Sequence, residues 1–110
     1  MNYQGFSTMF RLIFSYIIFL LNLNLGEKLF NENCIACHQN GKNIIIPEKN
    51  LTKAILKANG MDSIDSIMYQ IINGKNGMPA FGGRLKEIEI KEIANYVFSA
   101  PFSLNKSEMN

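Results

Sequence analysis

The chain has 110 residues, a length that suits one small domain. Its charges nearly cancel, with 11 basic against 9 acidic side chains, so composition gives no sign of nucleic-acid binding or of attraction to an acidic membrane. Only two cysteines and one histidine are present, which limits the metal sites that the chain could build.

The N-terminal segment has the pattern of a secretory signal peptide. Arg11 precedes an apolar run over residues 12–21, which is shorter than the roughly 20 residues that a membrane-spanning helix needs. We therefore predict a signal peptide over residues 1–24 and a single domain over residues 25–110. A small-x-small cleavage motif is missing, so the cleavage point stays open between residues 21 and 25, and an uncleaved membrane anchor is the alternative.

The first helix of the domain is predicted over residues 26–37, where apolar side chains recur at helical spacing. Gly26 stands at its start, where the missing side chain would permit close contact with another helix. A loop is predicted over residues 39–50, because Gly41 and Pro47 break regular structure. Within this loop, three consecutive isoleucines at residues 44–46 are expected to pack against the edge of a bound group.

That expectation comes from residues 34–38, Cys-Ile-Ala-Cys-His, which contain every cysteine and histidine of the chain. This pattern is the attachment signature of a c-type haem. Cys34 and Cys37, one helical turn apart, can form thioethers with both vinyl groups of one porphyrin, and His38 then becomes the proximal ligand of the iron. A zinc site would need a fourth ligand, a thioredoxin-like pair would need a βαβ context, and a simple disulfide is the third alternative.

The second helix is predicted over residues 51–59, with Gly60 in the position of a C-cap glycine. Lys49, Lys53 and Lys57 would face solvent. The predicted buried face consists of Leu51, Ala54, Ile55 and Ala58.

The third helix, capped by Asp62 or Ser63 and ending at residues 73–74, has the clearest amphipathic pattern. Its stripe is Ile64, Ile67, Met68, Ile71 and Ile72. The last helix is predicted over residues 87–99 with a weak N-cap at Lys86, and the tail from residue 102 is expected to fray. The buried stripe of that last helix is Ile90, Ile93, Ala94, Val97 and Phe98.

A glycine-rich loop over residues 75–85 carries apolar side chains, so we expect it to lie against a haem face. With one histidine, two histidine ligands are impossible, and the sixth ligand must be methionine, lysine, water or nothing. Met68 fits core packing better, which leaves Met61 and Met78. Met78 is favoured because it precedes Pro79 and lies about forty residues after the haem motif. Such a closed iron would transfer single electrons and would not activate oxygen.

From residue 26 to residue 100 the chain resembles the cytochrome c6 family, the soluble photosynthetic class I cytochromes of algae and cyanobacteria. The C-terminal tryptophan common in that family is absent. The matching pieces are Gly26-Glu27-Lys28-Leu29-Phe30, Asn33-Cys34-Ile35-Ala36-Cys37-His38, Tyr69-Gln70, Asn73-Gly74-Lys75-Asn76, Met78-Pro79-Ala80-Phe81-Gly82-Gly83-Arg84-Leu85 and Ala94-Asn95-Tyr96-Val97.

The resemblance implies an all-α class I cytochrome c fold of about four helices around one covalently attached haem c. It implies that the first and last helices cross through Gly26, Phe30 and Tyr96. It also implies Met78 as axial ligand and Gln70 close to the haem.

In function, the resemblance implies an electron-transfer protein and not an enzyme. It would carry electrons from the cytochrome b6f complex to photosystem I in the thylakoid lumen of a plastid, with no stable membrane insertion after signal removal. A cyanobacterial thylakoid lumen and a bacterial periplasm are alternative locations. Alternative functions are a respiratory cytochrome that donates to a terminal oxidase and a small haem enzyme or sensor with an open iron.

Arg84 is the only arginine outside the leader, and it lies in the loop that carries Met78. We expect it to help dock the redox partners, since local charge must steer a protein whose net charge is close to zero. A solvated cation or a partner of a haem propionate is the alternative role.

Overall fold

The computed structural model describes residues 3–100 and 102–104, and of residues 3–6 and 22–24 it describes the backbone alone. Over these residues the chain is helical and has no β-strand, only an isolated bridge between Lys75 and Met78. This confirms the all-α prediction. The helices are α1 (Tyr3–Asn33), α2 (Ile35–His38), α3 (Lys53–Ala58), α4 (Ile64–Asn73) and α5 (Glu87–Ser99), with short 3-10 turns at Gln39–Gly41 and Pro47–Lys49.

The bounds predicted for the first helix, residues 26–37, are wrong at both ends. α1 begins far upstream at Tyr3, because nothing between the apolar run and the domain is a strong helix breaker and a lone Gly26 costs only about 1 kcal/mol. It ends at Asn33, whose side-chain amide donates to the carbonyl of Leu29 at 2.9 Å. Cys34 forms the turn between α1 and α2.

The part of α1 outside the domain is apolar and exposed. Residues 7–33 form the one helix in the described chain that is long and apolar enough to cross a membrane, a property that signal sequences share. Its side chains over residues 9–21 contact no core. Packing against the core begins at Gly26, which is buried, and continues with Leu29 and Phe30, which belong to the core.

α1 and α5 cross at Gly26, as predicted. A Cβ atom on Gly26 would collide with the carbonyl oxygen of Glu92 and would lie 2.9 Å from the Cβ of Tyr96. One turn further along α1, the ring of Phe30 packs on Tyr96 with centroids 5.2 Å apart. The predicted crossing through Gly26, Phe30 and Tyr96 is confirmed, and it brings the two ends of the domain together.

α4 and α5 have the bounds that their patterns predicted. The hydroxyl of Ser63 accepts from the backbone N–H of Ser66 at 3.1 Å, so Ser63 and not Asp62 is the N-cap of α4. In α5 the carboxylate of Glu89 accepts from the backbone N–H of Lys86 at 2.9 Å, which is one half of a capping box. This bond compensates for the poor N-cap that Lys86 provides.

The stripe of α4 is confirmed, since Ile67 and Ile71 are buried and the other three members pack against the core. In α5 one member of the predicted stripe is wrong, because Phe98 is 42% exposed. The remaining four are buried. They are Ile90, Ile93, Ala94 and Val97.

Two further predictions about packing are wrong. In α3 the buried residue is Leu56, whereas Ala54 and Ala58 are exposed, because so short a helix presents a single turn to the core. Gly60 does follow α3 with a φ of +71°, as its predicted place requires. The tail does not fray at its start, because Phe102 packs against the core, and residues 105–110 lie outside the described chain.

Candidate functional site

A cavity of about 400 Å³ opens in the domain, and its walls come from every helix of the domain and both long loops. It brings together Cys34, Cys37, His38, Gln70 and Met78. Apolar side chains dominate the remaining walls. They include Phe30, Ile45, Ile46, Leu51, Ile55, Leu56, Ile67, Ile71, Phe81, Ile93 and Val97.

The cysteines and the histidine form one helical turn at one side of the cavity. The backbone N–H of His38 donates to the carbonyl of Cys34 at 2.9 Å, so the motif is helical as its spacing predicted. Both cysteines are free and half-buried, and burial raises the pKa of Cys34 to about 11, which keeps its thiol protonated at neutral pH. They do not form the disulfide considered as an alternative.

The imidazole of His38 is oriented by the backbone. Its Nδ1 lies 2.9 Å from the carbonyl oxygen of Lys42, an atom that can only accept, so Nδ1 carries the hydrogen and Nε2 is left with its lone pair. Burial lowers the pKa of His38, and the bond to Lys42 opposes that shift. A neutral imidazole with a free Nε2 is the form that binds iron.

The loop that carries Met78 is fixed to the end of α4. The last carbonyls of a helix lack partners within the helix. Here the carbonyl of Ile71 accepts from the N–H of Phe81 at 2.9 Å, and that of Ile72 accepts from Gly82 at 3.1 Å. Lys75 and Met78 exchange two backbone hydrogen bonds of 3.0 Å, which closes the tight turn before Pro79. The loop is therefore an ordered wall of the cavity.

Gly74 permits this closure. Its φ of +65° and ψ of 173° belong to a region that only glycine adopts readily. A Cβ there would collide with the carbonyl oxygen of Met78 and lie 2.7 Å from the carbonyl carbon of Pro79. The chain thus turns back from α4 directly onto the loop.

Among the candidate methionines, Met61 and Met78 both line the cavity, whereas Met68 lies in the core and not in the cavity wall. Gln70 distinguishes the first two. Its side-chain amide donates to the sulfur of Met78 at 3.6 Å, which orients the thioether. The sequence resemblance placed Gln70 near the haem without indicating this partner.

Arg84 lies at the rim of the cavity with its side chain exposed. Its guanidinium carbon is 4.7 Å from the ring centroid of the buried Phe81, a cation–π contact that restrains the side chain. The charge therefore has a defined position beside the Met78 loop, and the contact with Phe81 was not anticipated from the sequence.

The isoleucine loop is shaped by Asn43, a residue that the sequence reasoning missed. Its side-chain oxygen accepts from the N–H groups of Ile45 and Ile46 at 3.1 and 2.8 Å, and its amide donates to Lys49. An asparagine at the head of a loop is a recognised turn signal. Ile45 and Ile46 line the cavity as predicted, whereas Ile44 points to solvent with 65% of its surface exposed.

Asn50 was also missed. It is the one buried polar residue of the described chain, and its oxygen accepts from both the N–H and the hydroxyl of Thr52, at 3.0 and 2.7 Å. Asn50 also lines the cavity. The pattern Asn-x-Thr after a loop could have indicated such a turn.

These residues fit a covalently held porphyrin. The cavity volume lies within the range of cofactor sites, roughly 300–1,000 Å³. Its apolar walls suit a flat hydrophobic ring, two thiols stand one helical turn apart, and an imidazole and a thioether face the same space. Within the described residues no group of three or more Cys, His, Asp or Glu side chains could share an ion, which disfavours the zinc alternative.

Proteins of similar sequence support the interpretation of this cavity as a haem site. A family model described as cytochrome c oxidase, cbb3-type, subunit III, matches residues 22–97. Cytochrome c6 of Porphyra purpurea is 54% identical over 86 residues, which are 78% of this chain and 78% of that protein. Cytochrome c6 of Bumilleriopsis filiformis is 57% identical over 74 residues, 67% of this chain and 86% of that one.

Among solved structures, cytochrome c6 of the diatom Phaeodactylum tricornutum is similar to this chain, with a TM-score of 0.69 and 47% sequence identity. The match covers 72% of this chain and 93% of the diatom chain. The resemblance read from the sequence is thereby confirmed, together with the class I fold and the covalent haem c. The chain belongs to the cytochrome c6 family, whose members are electron-transfer proteins and not enzymes.

Proposed function

We propose that this protein takes electrons from the cytochrome b6f complex and delivers them to photosystem I. The observation that supports the proposal most strongly is that His38 and Met78, about forty residues apart in the sequence, line one cavity together with Cys34 and Cys37. When bound, the haem supplies an iron that changes between the ferrous and ferric states and so carries one electron.

Cys34 and Cys37 hold the porphyrin in this proposal. Each thiol would hold the porphyrin through a thioether to one of its vinyl groups. The helical turn of residues 34–38 presents both thiols and the imidazole of His38 on one wall. Covalent attachment suits a small domain whose cavity remains open at its rim.

His38 and Met78 are the proposed axial ligands. The Lys42 carbonyl fixes the imidazole with Nε2 free, and Gln70 fixes the thioether of Met78. A thioether ligand paired with a histidine would stabilise the ferrous state and raise the reduction potential relative to two histidines. With both residues bound to the iron, no position would be left for a substrate, so the haem would transfer electrons.

Arg84 is the proposed docking residue. A transient redox complex has a small interface, and a single restrained cation beside the haem edge can steer encounter without strengthening the bound complex excessively. The exposed Ile44 and the cavity-lining Ile45 add an apolar patch on the isoleucine loop.

The proposed location is the thylakoid lumen of a plastid, reached by removal of residues 1–24. The family's occurrence in algae and cyanobacteria suggests a thylakoid lumen or a periplasm, and the exposed apolar stretch of α1 suits a signal peptide that is removed. The intact mass of the native holoprotein tests this point, since the mature chain should begin between residues 22 and 25 and carry one haem.

A respiratory role is the second candidate, because the matching family model is described as an oxidase subunit. One experiment addresses both roles. The purified holoprotein should show a low-spin spectrum that carbon monoxide does not change, and it should reduce flash-oxidised photosystem I. A protein that reduces a terminal oxidase rapidly but photosystem I only at the rate of free haem peptide would overturn the photosynthetic proposal.

A further inference from the structure

Phe102 packs directly on the turn that follows His38. A Cβ built on Gly41 would lie 2.6 Å from the Cγ of Phe102 and 2.8 Å from its Cδ1, so nothing separates the ring from the backbone of Gly41. Gly41 is buried and has a φ of +78°. The ring thus occupies the space that any side chain at this position would need.

The turn beneath Phe102 is the one that holds the imidazole. Lys42 follows Gly41, and its N–H donates to the carbonyl of Gln39 at 3.0 Å. The carbonyl of Gly41 accepts from Leu51 at 2.7 Å. The carbonyl of Lys42 is the acceptor for His38 Nδ1 at 2.9 Å. A displacement of Gly41 would therefore move the only polar partner that the structure gives to the imidazole.

Phe102 is itself anchored by the crossing of α1 and α5. Its ring centroid is 5.9 Å from that of Phe30 and 6.1 Å from that of Tyr96, the second contact being perpendicular. Phe30 also supplies the carbonyl that accepts from the N–H of Cys34 at 2.8 Å. The three rings thus connect the helix crossing to both ends of the haem motif.

We propose that Phe102 is a positioning residue for His38. The ring of Phe102 packs on the Gly41 turn and so keeps the Lys42 carbonyl in hydrogen-bond contact with Nδ1 of His38. The inference rests on the proposed role of His38 as an iron ligand, but the ligand role and the positioning role can be disproved independently. Loss of the ligand role would appear in the wild-type spectrum, whereas loss of the positioning role appears only in variants.

The test follows the Nδ1 proton of His38 by NMR in the reduced, diamagnetic holoprotein. In Phe102→Ala this proton should exchange with solvent at least about tenfold faster than in wild type, because local opening of the turn becomes easier. Phe102→Tyr keeps the ring and should remain within about twofold of wild type. Phe102→Leu keeps apolar volume without the flat ring and should give about threefold faster exchange than wild type.

Two controls separate positioning from general stability. Phe98→Ala removes an exposed ring from the same helix end as Tyr96 and should leave the exchange unchanged. Ile90→Ala removes a fully buried side chain that does not line the cavity, so it should lower the melting temperature without hastening local exchange. Exchange in Phe102→Ala or Phe102→Leu that matches wild type, or that Ile90→Ala reproduces at equal loss of melting temperature, would overturn the proposal.

Discussion

The two walls of the cavity hold their proposed iron ligands by different means. His38 lies in a single helical turn with both cysteines, and one backbone carbonyl, that of Lys42, fixes its imidazole. Met78 lies in a loop between α4 and α5, where backbone hydrogen bonds to the end of α4 and the amide of Gln70 fix its thioether.

This difference shows where each wall is vulnerable. The histidine side depends on residues that are adjacent in sequence and would be tied to the porphyrin covalently. The methionine side depends on the positive φ of Gly74 and on backbone hydrogen bonds to the end of α4, neither of which could be predicted from the sequence. Substitutions in or next to the Met78 loop should therefore disturb the site more than substitutions of comparable size elsewhere on the surface.

The largest effect is expected from Met78→Ala, which removes the proposed sixth ligand. The weak far-red band of sulfur-to-iron charge transfer should disappear from the oxidised spectrum, the potential should fall, and carbon monoxide should bind the reduced protein. Met61→Ala is the matched control, since Met61 lines the same cavity. If Met61→Ala abolishes the band and Met78→Ala retains it, the ligand assignment is wrong.

The next effect is expected from Gly74→Ala. It forces alanine into a backbone region that suits glycine alone and drives a Cβ into the Met78 loop, which should cost about 2–4 kcal/mol of unfolding free energy. Gly60→Ala is the control, because Gly60 also has a positive φ but has open space around it, and it should cost about 1 kcal/mol. Denaturant unfolding of the ferric holoprotein measures both, and equal losses would contradict a specific role for Gly74.

A smaller effect is expected from Gln70→Val. Donation of the Gln70 amide to the sulfur of Met78 withdraws electron density from the thioether and so favours ferrous iron. Its loss, worth about 1 kcal/mol, should lower the reduction potential by roughly 40 mV for one electron. Tyr69→Phe on the exposed side of α4 should leave the potential in place, and a rise in potential on Gln70→Val would contradict this account.

The smallest effect is expected from Arg84→Asp, which concerns partners and not the site itself. Electron transfer to photosystem I should slow several-fold at low ionic strength, and the difference should shrink once the Debye length falls well below about 10 Å. Lys91→Asp, a charge reversal at an exposed position on α5 outside that loop, should slow it less. A marked shift in potential with an unchanged low-salt rate would instead make Arg84 a partner of a haem propionate.

The sequence predicted long, regular patterns well. α4 and α5 have the predicted bounds because each combines a stripe of several turns with local end signals, such as Ser63 before α4. α3 offers only six residues, too few to establish which face is buried, and Leu56 rather than Ala54 faces the core. Residue type and spacing singled out the cysteines, His38 and Met78, and all four line the cavity.

Contacts between distant segments were harder to predict. The amide of Gln70 on Met78, the ring of Phe102 on Gly41 and the carbonyl of Lys42 on His38 all arise from tertiary placement. The polar composition of the tail predicted that it would fray. Phe102 instead packs between Gly41 and Tyr96, and this contact between distant segments could not be predicted from the sequence. The predicted start of the first helix was wrong because a helix can continue through a single glycine.

The contact of Gly26 with Glu92 and Tyr96 also bears on synthesis of the protein. A nascent chain in which α5 has not yet formed lacks the helix that packs on α1. It also lacks the part of the cavity wall that Ile93 and Val97 provide. Residues 34–38, in contrast, form a local turn whose hydrogen bonds, among the described residues, reach no further along the chain than Ile44. Maturation enzymes can therefore act on the motif while the chain is still open, and folding can close around a porphyrin that is already attached.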